Sequence, residues 1–277
     1  MTSLTLAGSL PAATGRSGLP NAIRSEWTKI RSVRSTLWSI VAMAGVAIGL
    51  NALINWLSID RRWSTMVPGE QADHLAHPLD TILTSPMLVA QFAVAVIGVM
   101  AISAEYSTGM VRSTLQAQPR RLTILTAKVL VLAGLMVVVG EALSFGAYLT
   151  GKAVIAPHIP VHLSDPGALR AVVGAGLYIP VLALFSLAVA AILRHTAAAI
   201  TTVLGIMLVV SNLTALLPDS WGHHINAYMP MNAGSLVFQQ HVDPKQLLTA
   251  WQGLGVFGAE TAILLVIAAV LMRRRDA

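Results

Sequence analysis

The sequence predicts an all-α integral membrane fold: six transmembrane helices, an N-terminal amphipathic interface helix and a cytoplasmic coupling helix. Three observations point to it: a scarcity of charge, six apolar runs of membrane-spanning length, and cations gathered at the ends of those runs. Hydrophobic residues make up 55% of the 277 residues and charged residues only 11%, and the mean hydropathy is +0.71. A soluble domain needs about one quarter charged residues to solvate its surface. A chain this poor in charge takes lipid as its solvent.

The hydrocarbon core of a bilayer is about 30 Å thick and a helix rises about 1.5 Å per residue, so a span takes about 20 apolar residues. Runs 37–57, 82–103, 129–149, 171–193, 196–217 and 251–272 meet that length. One such run would read equally well as a buried helix of a soluble core, but six leave too little polar sequence to wrap them. Residues 1–18, rich in Ser, Gly, Ala and Thr, read as a flexible leader and not as a cleaved signal, because no Lys or Arg precedes Arg16. Residues 19–277 then form a single membrane domain.

Orientation follows from the cations. With both termini inside, Arg16, Arg24, Lys29, Arg31, Arg34, Arg112, Arg120, Arg121, Lys128, Arg194 and Arg273 to Arg275 face inward, 13 of the 18 Lys and Arg residues. Arg61, Arg62, Lys152, Arg170 and Lys245 face outward. That bias predicts a multi-pass protein of the cell membrane with cytoplasmic termini. Arg194 and His195 alone join the fourth and fifth runs, which predicts a tight helical hairpin, and Pro180 is expected to kink the fourth run. The last outer loop, 218–250, is broken by Pro218, Pro230 and Pro244. Its apolar residues Leu236, Val237, Phe238, Leu247 and Leu248 predict short helices resting on or dipping into the outer leaflet.

Several function classes are disfavoured. With no cysteine, disulfides and thiolate metal sites are excluded. The net charge of +6 is spread over helix ends and forms no basic stripe interleaved with aromatics, so nucleic acid is not the expected partner. Gly146 to Lys152 matches most of a phosphate-binding loop, but it ends a membrane helix and has Ala153 where the magnesium-binding hydroxyl belongs. His158 and His162 have zinc-like spacing, yet Pro160 lies between them, and they read as solvated loop residues together with His74, His77, His223, His224 and His241. No catalytic centre, no metal site and no cofactor are expected on this chain.

Four features remain. Leu19, Ile23, Trp27, Ile30 and Leu37 recur on one helical face, with Arg24, Ser25, Thr28, Arg31 and Ser32 elsewhere, which describes a basic amphipathic helix in the inner interface. The loop from Glu105 to Arg121 carries Met110, Val111 and Leu115 between charged ends, with Gly109 permitting a turn and Pro119 ending a short helix. Glu141 and Glu260 fall within spans, where an ionisable group is costly and marks a candidate site; they read as helix–helix glue ahead of a proton relay. Gly45 and Gly49 give the first span a GxxxG face that allows close helix approach in a dimer.

On these residues the chain resembles the permease subunits of type-2 ABC transporters, of actinobacterial type. Ser25-Glu26-Trp27-Thr28-Lys29-Ile30-Arg31-Ser32, running into Thr36-Leu37-Trp38, is similar to the family's opening interface helix. Glu105-Tyr-Ser-Thr-Gly109, then Met110, Val111, Arg112, Leu115, Pro119-Arg120-Arg121 and Lys128, resembles its coupling region. Leu217-Pro218-Asp219-Ser220-Trp221, followed by Tyr228-Met229-Pro230 and Ala233-Gly234, resembles its final outer loop. The resemblance implies an exporter permease that docks a separate ATPase subunit on the Glu105–Arg121 region. ATP and Mg would sit on that partner, and a second permease copy would complete a homodimer in the lipid bilayer. Two other classes stand beside it: an ion- or proton-coupled secondary carrier using Glu141 or Glu260, and a non-transporting membrane scaffold or sensor.

Overall fold

A computed structural model describes residues 18–32, 34–107, 121–214, 217–242 and 245–274, and these contain helices and no strand. Six helical stretches are long and apolar enough to cross a membrane: Leu37–Thr65, Pro78–Tyr106, Leu122–Ile155, Ala168–Leu193, Thr196–Thr214 and Ala250–Arg274. They coincide with the six apolar runs, and most extend further at one or both ends. The leader lies outside the described residues, apart from Gly18.

In chain order, α1 (Leu19–Ser32) precedes span 1, which is α2 (Arg34–Asn55) continued by a π-helical turn, Trp56–Asp60. A short α3 (Pro68–Ala76) leads to span 2, α4 (Pro78–Ser107). Spans 3 and 4 are α5 (Arg121–Ile155) and α6 (Ala168–Leu193). Span 5 begins as α7 (Thr196–Gly205) and passes through a second π-helical segment, Ile206–Val210. Then come α8 (Asp219–Ala227), α9 (Pro230–Ser235) with a 3₁₀ turn Leu236–Phe238, and span 6, α10 (Ala250–Arg274). We call the end that holds α1 basal and the opposite end distal.

Span 4 is the centre of the bundle. Of its apolar stretch 72% is buried, against 22% for span 1 and 17% for span 6, so the outer helices present their apolar sides to the surroundings. In lipid no hydrophobic force drives helices together, and small residues that let backbones touch supply the packing. A methyl at Gly98 would strike the Ala183 carbonyl and Ser186 of span 4, and one at Gly140 would strike the Gly176 carbonyl and Ile179. Pro180, which has no N–H, leaves the carbonyl four residues earlier, that of Gly176, without its helical partner. The helix nevertheless runs unbroken through Pro180. The hairpin between spans 4 and 5 is tight as expected: Arg194, at φ 56°, closes α6, and the His195 ring accepts a hydrogen bond from the Ala198 N–H to open α7.

The tryptophans mark two levels, since Trp favours membrane–water interfaces. Trp27 and Trp38 lie at the basal end and Trp56, Trp221 and Trp251 at the distal end, all with 43% or more of their surface exposed. The segment 230–238 departs from the sequence expectation. Leu236 and Val237 are buried and Phe238 packs on the core, so this segment dips into the bundle itself. The glycines opposite explain the fit: Gly174 of span 4 leaves room for Val237, and Gly253 of span 6 leaves room for the Ala233 carbonyl.

Candidate functional site

The basal end brings together four charges from three helices. Glu26 on α1 reaches Lys29 through Oε1 and Lys128 through Oε2, each at 2.6 Å. Glu105, near the end of α4, accepts from the same two ammonium groups at 2.9 Å. The result is a closed ring, Glu26–Lys29–Glu105–Lys128, with no net charge. Three members are well buried, the side chains of Glu26, Lys128 and Glu105 being 7%, 8% and 13% exposed, while Lys29 stands at the rim at 31%. Burial alone would lower the Lys29 pKa, but the hydrogen bonds and charges of Glu26 and Glu105 outweigh it and hold that pKa above its ordinary value.

The helices dictate this meeting. Glu26 and Lys29 stand three residues apart and so share one face of α1. That face, with buried Ala22, packs on α5, while Leu19 and Trp27 remain exposed on a second face and Arg24, Ser25, Thr28 and Arg31 on a third. Ile23 and Ile30 are half-buried between them. The amphipathic pattern found two of these three faces. Because α5 begins at Arg121, Lys128 lies two turns inside it and points back to α1 and to the end of α4. The ring therefore fastens α1 to the two helix ends that flank residues 108–120. Gly109, Met110, Val111, Arg112, Leu115, Pro119 and Arg120 lie outside the described residues, and Arg121 opens α5. Close by, the Arg194 guanidinium sits over the Tyr106 ring, 5.5 Å from its centroid, and ties the span 4–5 hairpin to the end of span 2.

No family model matches the sequence, and no curated protein matches it.

Among the described residues no three His, Cys, Asp or Glu side chains gather to hold a metal ion. His158 pairs with Asp60 at 3.2 Å and stacks on Trp63, and His77 meets His241 edge to face. These two pairs tie loops together, which the reading of solvated loop histidines did not foresee. The carboxyl of Glu141 lies against the backbone of Gly176, and no described residue hydrogen-bonds it. Glu260 has a buried Oε2 with no partner among the described residues. The interhelical hydrogen bonds among the described residues include two from side chains not singled out in the sequence: Asn51 donates to the Ala147 carbonyl, and Ser144 donates to that of Val172. Asn55 supports Asn51 through its carbonyl and side-chain oxygens. Two Asn residues four apart inside an apolar run were the available signal. A methyl at Gly45 or Gly49 would touch none of the described residues, so the GxxxG face points away from the rest of the described bundle.

The distal end has its own fastening. Arg170, near the start of span 4, donates to the carbonyls of Val237, Gln239 and Gln240 at 3.2, 3.0 and 2.7 Å. Asp80, near the start of span 2, accepts from the Gln240 N–H at 2.6 Å. The Gln240 side chain accepts from the Leu79 N–H and donates to the Pro166 carbonyl. The segment after α9 is thereby pinned to spans 2 and 4.

Proposed function

We propose that this chain is the membrane-spanning permease subunit of an ATP-driven ABC exporter, working with a separate ATPase subunit. The carrying observation is the basal charge ring, which links α1 to the helix ends on either side of residues 108–120. A soluble motor that grips that loop would pull on Glu105 and Lys128 directly, and through Glu26 on α1. Force applied at one loop would then move spans 2 and 3 together with the interface helix. On this reading both termini and the ring face the cytoplasm, in line with the bias of Lys and Arg. A second copy of the chain would supply the other half of the substrate path, and the open GxxxG face of span 1 suits such a contact.

The test is Leu115→Asp. An unpaired charge forced into a protein groove costs about 3–5 kcal/mol, a loss of a hundredfold or more in docking affinity. The variant should insert normally yet lose co-purification with the ATPase and substrate-stimulated ATP hydrolysis. Full assembly and coupled transport by that variant, or ATP hydrolysis by this chain alone, would refute the proposal.

One observation favours a proton-coupled carrier instead, namely the buried Oε2 of Glu260, which has no partner among the described residues. Glu260→Gln separates the two readings. In an exporter it leaves ATP-dependent transport in vesicles within about twofold, because a buried amide keeps the shape of the site; in a carrier it abolishes transport along with its pH dependence.

A further inference from the structure

The distal end holds a cleft beside the Arg170 tie. It has a volume of about 360 Å³ and is lined by Arg170, Val242, Gln246, Leu248, Thr249 and Trp251, together with Ala250. Three parts of the chain build it: the start of span 4, the segment before span 6, and the first turn of span 6. That volume lies at the lower end of the range of small-molecule sites, about 300–1,000 Å³.

Its chemistry is asymmetric. At one side stands Arg170, whose guanidinium has five N–H donors in a fixed fork. Three of its hydrogen bonds go to backbone carbonyls, which fix the fork in place and leave its charge intact. Asp80 feels that charge from a distance, and no salt bridge joins the two. Gln246 and Thr249 add an amide and a hydroxyl, whereas Val242, Leu248 and the half-exposed ring of Trp251 form an apolar side. Trp251 also sits at the level of the distal tryptophans, where a bilayer would place its headgroups.

We propose that this cleft binds an anionic amphiphile: a phosphate group held by Arg170, Gln246 and Thr249, with an apolar tail laid along Leu248 and Trp251. A lipid of the adjoining leaflet and a soluble organic phosphate present the same headgroup, but only the lipid satisfies the apolar side. The inference requires only a properly folded distal end, and it holds whether or not the chain couples to an ATPase.

The experiment follows the melting temperature of the full chain in neutral detergent during titration with three probes: phosphatidylglycerol, phosphatidylcholine and glycerol 3-phosphate. Phosphatidylglycerol should stabilise saturably, and the other two should not. Gln246 is exposed, so its substitution leaves the fold alone. Gln246→Glu sets a negative charge against the phosphate and should weaken the response to phosphatidylglycerol about tenfold, whereas Gln246→Lys should strengthen it. Gly69→Glu adds the same negative charge on α3, outside the cleft, and should change nothing. Equal stabilisation by phosphatidylcholine would reduce the effect to general lipid contact, and equal stabilisation by glycerol 3-phosphate would make the site one for soluble anions. Either result overturns the proposal, as would identical responses from the two Gln246 variants.

Discussion

At the basal end three helices meet through four mutually paired charges, whereas at the distal end Arg170, Asp80 and Gln240 hold a loop segment mainly by its backbone groups. The difference lies in what each tie depends on. A backbone carbonyl is present whatever the side chain, so the distal fastening survives most changes on the loop it grips. Every member of the basal ring depends on two others, and removing one strands its partners in a buried place. Buried ion pairs add little net stability over an apolar replacement, but breaking one is expensive. The distal arrangement therefore suits a fixed anchor. The basal one suits a joint whose parts must move together.

The sharpest way to break that comparison is Lys128→Met. It leaves Glu26 and Glu105, two buried carboxylates, to share Lys29 as the one remaining cation of the ring. The expected cost is about 3–5 kcal/mol, read as a drop in melting temperature in detergent. Adding Glu26→Met should restore most of the loss, because the Lys29–Glu105 pair at 2.9 Å then stands by itself in balanced charge. A double variant no more stable than the single one would mean that the ring acts through packing and not through charge balance.

Asp80→Asn probes the distal end with a smaller expected effect. Its principal contact is with a neutral amide, the Gln240 N–H, and an Asn oxygen can accept the same hydrogen bond. The loss should stay near 1 kcal/mol, the scale of one ordinary hydrogen bond. A loss as large as that of Lys128→Met would show that Asp80 serves Arg170 as a counter-ion, and the contrast between the two ends would fail.

The two ends were also unequally legible in the sequence. The six spans could be read because run length and apolarity are local properties of the chain, and the hairpin at Arg194–His195 because only two residues separate its runs. Glu26 and Lys29 were recognised as part of an interface helix and Glu105 as part of a loop, yet nothing local joins residues 102 and 76 positions apart. Lys128 was counted as a flanking cation because the apolar run begins just after it; the helix begins at Arg121 and carries Lys128 inward. The distal tie was hidden for a different reason. Four of its acceptors are peptide carbonyls, which leave no mark in a sequence. The burial of Leu236 and Val237 was likewise unreadable, since it depends on gaps left by Gly174 and Gly253 on other helices.

The smallest effect concerns Lys29, the ring member at the rim. Its folded pKa lies above its ordinary value because the hydrogen bonds and charges of Glu26 and Glu105 outweigh the opposing effect of burial. A group whose pKa rises on folding contributes stability that is complete below its unfolded pKa and is lost as pH climbs through the folded one. For lysine that unfolded value is about 10.4. The contribution of Lys29 should therefore be constant from about pH 6 to pH 9 and fade only above about 10.4. Because its side chain is 31% exposed, water screens the pair, and Lys29→Gln should cost no more than about 1 kcal/mol. The measurement is the difference in melting temperature between wild type and Lys29→Gln across that pH range. A flat difference that closes in strong alkali fits a permanently charged rim residue. A difference that changes between pH 6 and pH 9 would mean that Lys29 titrates within the working range, and the ring would then be a pH-sensitive joint and not a constant one.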